Sequence, residues 1–161
     1  MVRMRVAHLG LDRSTNTPVV ILQEEGGERT LPIWIGAPEA NAIALEMQGA
    51  KPERPLTHDL MKHLVTGLGG ELRRVVISGL RENTYMAELL IYRGGEVFEV
   101  DARPSDSIAL ALRMHAPIYS NEELLQPGDQ GGQTPETPAD PDALKKFLEK
   151  LDPQDLGRFQ P

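Results

Sequence analysis

The chain contains no cysteine. That single absence removes disulfide staples, thiolate metal sites and thiol nucleophiles, and it is compatible with a reducing compartment. Aromatic residues make up only 4%, so the core must be aliphatic, and there are few platforms on which the bases of a single strand could stack. No apolar run approaches the roughly 18 residues that a membrane span needs, the clearest strand-like one being Val19 to Leu22. Positive charge is also short. Lys and Arg number 17 against 24 Asp and Glu, a net charge of −7, which gives no help to binding a phosphate backbone by counterion release. A Walker A loop, a Gly-x-Ser-x-Gly elbow, a His-Glu-x-x-His pair and paired Cys motifs are all missing. Their absence disfavours the familiar NTPase, esterase and zinc-protease readings.

What remains is ordinary globular material: 161 residues, 40% hydrophobic and 25% charged, enough for one substantial core. Met1 to Gly10 carries Arg3 and Arg5 without a following apolar stretch or small-residue cleavage site. No secretory signal is expected, no membrane partner either, and a cytoplasmic location is.

Val2, Met4 and Val6 alternate with Arg3 and Arg5, the two-residue period of a half-buried strand. Asn16 to Pro18 reads as a turn, Val19 to Gln23 as a second strand, Glu25 to Glu28 as a hairpin connection and Arg29 to Ile35 as a third. A helix follows from Gly36, with Pro38 in its first turn, Glu39 complementing the dipole, and Gly49 ending it. Pro52 and Pro55 hold the next connection extended. Thr57 then predicts an N-cap for a helix whose apolar face is Leu60, Met61, Leu64, Val65 and Leu68.

Leu72 to Leu80, Thr84 to Arg93 and Glu96 to Ala102 form a second antiparallel meander, with Phe98, Val100 and Ala102 expected to face the core. Pro104 and Ser105 open a third helix, through about His115, apolar almost all round and therefore well buried. Ile118-Tyr119 can add a short strand. The pattern predicts an α+β fold: a mixed, largely antiparallel sheet of six to seven strands in two meanders, three packed helices and a C-terminal helical tail. Residues 1–125 are expected as the domain and 126–141 as a flexible Pro/Gly-rich linker. Residues 142–161 form the tail, in which Ala143, Leu144, Phe147, Leu148 and Leu151 share one face. Ala42 to Met47 and Ala109 to Met114 echo each other, each in a helix that follows a meander.

Two polar segments can carry chemistry. In Arg54-Pro-Leu-Thr-His-Asp-Leu60 a helix start offers free N–H groups that, with Arg54 adjacent, could hold a phosphate or carboxylate, and Thr57, His58 and Asp59 are expected at the surface. The plainer role makes Thr57 a cap, Asp59 a dipole complement and His58 merely exposed. In Glu99-Val-Asp-Ala-Arg-Pro-Ser-Asp-Ser107, Asp101 and Asp106 could bind a divalent cation while Arg103 and Ser105 meet a phosphate. The plainer role there is an Asp101–Arg103 surface pair and a Ser105 cap. Glu39 joins this set if the three helix starts share one edge of the sheet. His8, His63 and His115 stand singly, His115 as a C-terminal dipole partner.

Three ordered blocks then resemble the bifunctional nuclease domain family: Leu31-Pro-Ile-Trp-Ile-Gly36 with Glu39-Ala40, Arg54-Pro-Leu-Thr-His-Asp59, and Asp101-Ala-Arg-Pro-Ser-Asp-Ser-Ile-Ala-Leu-Ala111. The resemblance covers Met1 to Leu125, and Phe147 to Leu156 is similar to a tail of some members. It implies an α+β fold, self-association with a dimer favoured, and cleavage of DNA and RNA. On that basis a metal-activated water would attack a phosphodiester, with Mg²⁺ or Mn²⁺ on Asp101, Asp106 and either Asp59 or Glu39. His58 would act as base or acid beside Asp59, and Arg54, Arg103, Thr57 and Ser105 would hold the substrate. The competing expectation is a non-catalytic oligomeric binding or scaffold module.

Overall fold

Seven strands, three α-helices and a docked terminal helix make up the computed structural model, which describes residues 1–128 and 141–150. The first meander is β1 (Val2–Asp12), β2 (Thr17–Glu24) and β3 (Thr30–Trp34), followed by α1 (Ala37–Met47) and α2 (Thr57–Gly67). The second is β4 (Glu71–Arg81), β5 (Thr84–Arg93) and β6 (Glu96–Ala102), followed by α3 (Pro104–Met114), the short β7 (Ile118–Ser120) and α4 (Pro141–Glu149). Strand order is β3-β2-β1-β7-β4-β5-β6. The fold is therefore α+β with a mixed, mostly antiparallel sheet.

Turn chemistry fixes the registers. Gly94 and Gly95 both have positive φ between β5 and β6, as a two-residue type I′ hairpin requires. Glu82 and Asn83 hold the same conformation between β4 and β5 without being glycine, at φ 49° and 60°. β7 joins the meanders, antiparallel to β1 and parallel to β4. β1 and β4 thus run in opposite directions, and a flat sheet would leave the ends of β3 and β6 at opposite edges. Accumulated right-handed twist and coiling over seven strands brings those ends, and the helices that start from them, face to face.

α1 and α3 pack on each other over this sheet, and α2 packs on α3. The core between sheet and helices is aliphatic, as expected: Val20, Leu22, Leu31, Ile43, Val75, Ile77 and Ile108 are all fully buried. The echoing segments of α1 and α3 are the parts that meet. Gln126 pairs with Thr30 through two backbone hydrogen bonds of 2.8 and 2.9 Å, so ordered structure runs past Leu125. α4 docks on β1 with Leu144 buried. Most of the expected linker, residues 129–140, and the tail beyond Lys150, including Leu151, lie outside the described residues.

Two expectations are overturned. α2 is inverted: Leu60, Leu64 and Leu68 are 52%, 54% and 65% exposed, while His58 is buried. β6 is exposed along its length, Phe98 and Val100 included. The cause of the first is a cation that sequence periodicity did not weigh. Arg113, 4% exposed in the last turn of α3, donates from Nε to Asp59 Oδ1 at 2.9 Å, from Nη1 to Ala109 O at 2.9 Å and from Nη2 to Ala42 O at 3.0 Å. A buried guanidinium without such partners is untenable. Satisfying it turns the polar side of α2 inward and ties all three helices to one side chain.

Replacing Arg113 by Met leaves Asp59 facing a partly buried site with no counterion, and denaturant unfolding should show a loss of about 3 kcal/mol, the lower end of the range for a broken buried pair because Asp59 still reaches water. Arg113→Met combined with Asp59→Leu should recover part of that loss; a double variant as weak as the sum of the two singles would contradict the pairing.

A candidate phosphate-binding and acid–base site at three helix starts

Gly36 precedes α1 with extended backbone and Arg103 precedes α3 likewise, so the first turns of both helices leave their N–H groups open. Glu39, in the first turn of α1, folds its carboxylate back over Gly36, where a Cβ would collide with it. Its Oε1 accepts from Arg103 Nη2 at 2.9 Å. Arg103 Nε donates to Asp106 Oδ2 at 2.8 Å, and Asp106 Oδ1 lies 2.8 Å from His58 Nε2 in the first turn of α2. One continuous chain, Glu39–Arg103–Asp106–His58, therefore links the starts of α1, α3 and α2.

Electrostatics sets the protons in this chain. Burial pushes the Asp106 carboxyl up, but the hydrogen bonds and charges of Arg103 and His58 outweigh it and hold the group below its ordinary value. An ionised carboxylate only accepts, so the proton of the His58–Asp106 bond sits on Nε2. Neutral His58 then carries its lone pair on Nδ1. That atom makes no hydrogen bond among the described residues, and the His58 side chain is 9% exposed. Arg103 is the outermost member, its side chain 66% exposed.

An open cleft of about 350 Å³ lies against Arg103. Trp34 and Ile35 at the end of β3, Asn83 and Tyr85 beside the β4–β5 turn, and Pro104 and Ser105 at the start of α3 line it. Ser105 is 6% exposed, and its hydroxyl makes no hydrogen bond among the described residues. The Ser105 hydroxyl, the Arg103 guanidinium and the open first turn of α3 thus share one wall, the composition of an anion site.

His58, Asp106, Arg103, Glu39 and Ser105 are brought together. Asp59 is not part of the chain: its Oδ1 is taken by Arg113 and its Oδ2 by Leu56 N–H at 2.9 Å. Asp59 is the cap of α2, since Leu56 and not Thr57 occupies the N-cap position. Thr57 and Arg54 are exposed, with no side-chain bond among the described residues. Asp101 pairs in register with Glu88. Its neighbour Ala102 opposes buried Ala87, so strand alternation turns Asp101 to the sheet face away from the helices. The Asp101–Arg103 surface pair is absent too, since Arg103 bonds Asp106 and Glu39. A Mg²⁺ or Mn²⁺ set of Asp101, Asp106 and Glu39 does not fit this arrangement. Both oxygens of Asp106 and one of Glu39 are engaged, Asp101 is across the sheet, and no group of three His, Asp or Glu among the described residues is placed to hold a metal.

Arg113 escaped the sequence reading. Its signal was there: one charged residue inside an otherwise apolar helix must find a buried partner. No described helix is long and apolar enough to cross a membrane.

A family model described as the bifunctional nuclease domain matches residues 20–133. An uncharacterised protein of Mycobacterium tuberculosis is 45% identical over 157 residues, 94% of each chain. Bifunctional nuclease 2 of Arabidopsis thaliana is 27% identical over 84% of this chain and 44% of its own length. Bifunctional nuclease 1 of Oryza sativa subsp. japonica is 24% identical over 70% of this chain and 35% of its own.

Asp59 and Asp106 are both held below their ordinary values, Asp59 because the Leu56 and Arg113 bonds outweigh the upward push of burial. A depressed carboxylate stabilises the fold above its unfolded pKa of about 3.9 and loses that contribution as pH falls through the folded pKa. Stability should therefore be flat from neutral pH down to about pH 4 on their account and fall below it. In Asp106→Asn the fall in urea midpoint below that pH should be shallower, and an unchanged acid limb would contradict the assignment.

Proposed function

Because the chain belongs to the bifunctional nuclease domain family, we propose that it hydrolyses phosphodiester bonds of nucleic acid at the cleft beside Arg103. One observation carries this reading: His58 Nε2 is fixed 2.8 Å from an Asp106 that Arg103, a residue of the cleft wall, holds from its other side, which leaves Nδ1 as the proton acceptor of the imidazole. Arg103 and Ser105, with the start of α3, bind the phosphate oxygens and the charge that grows on them. His58 Nδ1 accepts a proton from water as its oxygen attacks phosphorus. The ester P–O bond breaks, and the leaving oxygen takes a proton from solvent at the open mouth of the cleft. Asp106 is the positioning residue that sets the His58 tautomer, and Glu39 sets Arg103. Water as nucleophile needs no 2′-hydroxyl, so the same groups serve DNA and RNA. The steps proposed here use only these side chains and water. A cytoplasmic setting suits a chain without cysteine.

A second reading, assembly, is favoured by the inverted α2. Leu60, Leu64 and Leu68 recur every four residues on its outer side. At Gly70 the helix end lies against Val65 and Ile91, and Ile91 pairs with exposed Phe98 of the free edge strand β6. Exposed leucines on one side of a helix are the kind of apolar surface that marks a contact site. Two such patches can face each other about a two-fold axis. The occupant is a second copy of this chain, because a leucine stripe with no charge in it is complementary to itself. Assembly and hydrolysis use different surfaces.

Cleavage of single-stranded DNA and RNA by purified protein should fall about 10²- to 10⁴-fold in His58→Ala, the usual contribution of a general base. It should fall about 10²-fold or more in Arg103→Ala and stay unchanged in Asp101→Asn. Equal activity in all variants would mean a contaminating nuclease and end the catalytic reading. In light scattering after gel filtration, wild type should run as a dimer and Leu64→Lys as a folded monomer. A wild type that is monomeric at every concentration would remove the assembly reading.

A further inference from the structure

The cleft has more in it than a phosphate site, and what it has sits at a fixed place relative to Arg103. Trp34, the one tryptophan of the chain, is 41% exposed at the end of β3. Large aromatic rings are usually covered, and an exposed one free to turn would be a poor platform. This one is held. Its Nε1–H donates to Asp12 Oδ2 at 2.9 Å, and Asp12 Oδ1 accepts from the Ser14 N–H at 3.0 Å and the Ser14 hydroxyl at 2.7 Å. Those bonds hold the Asp12 carboxyl at about 2, so the acceptor is always ionised. Facing it across the cleft, the β4–β5 turn presents Asn83 and Tyr85, and Asn83 is kept in the left-handed region that non-glycine residues rarely occupy. Ser105, 6% exposed, lines the same cleft, and its hydroxyl, which makes no hydrogen bond among the described residues, keeps contact with the cleft's solvent.

We infer that this cleft takes a single unpaired nucleotide, its base lying on Trp34 with Asn83 within reach of the base edge, and its phosphate on Arg103 and Ser105. The inference rests on the phosphate site proposed above and names the substrate class of that site. A volume of about 350 Å³ is at the small end of ligand sites, enough for one nucleotide. A base inside a duplex has both faces covered by its neighbours, so only an unpaired or extruded one can reach the indole. The charge of −7 points the same way. A chain this acidic cannot grip a long run of phosphates, and local stacking with one or two phosphate contacts is the recognition left open to it.

The tryptophan is its own reporter. Full-length protein titrated with thymidine 5′-monophosphate, which has no phosphodiester to cut, should show saturable quenching of tryptophan fluorescence. A short oligothymidylate should do the same, and a blunt duplex at equal nucleotide concentration should not. Inorganic phosphate should displace the monophosphate without quenching. Arg103→Ala and Tyr85→Ala should each weaken binding about tenfold, and Trp34→Leu should do so when a labelled oligonucleotide is followed by anisotropy. The logarithm of affinity for the oligonucleotide should fall with log salt at a slope near −0.7 for each phosphate held, so about −0.7 to −1.4. Absence of saturable quenching, equal binding of the duplex, or a salt slope of many phosphates would each overturn the inference. Cleavage without quenching would sink this inference and leave the hydrolytic reading standing; quenching without cleavage would do the reverse.

Discussion

A guanidinium that cannot be left alone inside a protein governs the arrangement of the helices. Arg113 is almost completely enclosed, and each of its three nitrogens is satisfied by a different neighbour: the side chain of Asp59 on α2 and the carbonyls of Ala42 on α1 and Ala109 on α3. The alternative, a buried cation lacking partners, costs more than any plausible gain from burying the leucines of α2. Polar satisfaction outranks hydrophobic burial here, and α2 takes the orientation that serves the arginine.

Two structural features follow from that orientation. Turning the His58 and Asp59 side of α2 inward places His58 against Asp106, so this bond is a by-product of the same constraint that fixes the helix. Turning the opposite side outward leaves Leu60, Leu64 and Leu68 in water. The sheet contributes the other half. Its twist carries the end of β3, with Trp34, round to the start of α3, so that an indole and a guanidinium far apart in the chain border one cleft.

Most of the fold could be read from the chain. Strand alternation, the Gly94-Gly95 turn, Pro38 and Pro104 in helix first turns and the apolar run of α3 each act locally, and each element stands where its residues predict. The site was legible in part. Glu39, His58, Arg103 and Asp106 were picked out because helix starts concentrate open N–H groups and charge, and they do meet. Asp101 was misplaced because residues five apart in sequence are near neighbours only if the sheet face allows it, and alternation sends Asp101 to the far side. The inversion of α2 was hidden for a different reason. Periodicity reports that a helix has an apolar stripe, and says nothing about which of two competing demands, a leucine stripe or a buried arginine on the next helix, decides the face that turns inward.

The central claim is that Arg113 holds α2 so that His58 is bonded through Nε2 to Asp106. A long-range ¹H–¹⁵N spectrum of the imidazole tests it directly. Wild-type protein should show a slowly exchanging His58 Nε2 proton, and Arg113→Met should lose it while the backbone amide signals of the sheet stay in place. A His58 ring that exchanges freely in the wild type, or a protected proton that survives the loss of Arg113, would contradict the account.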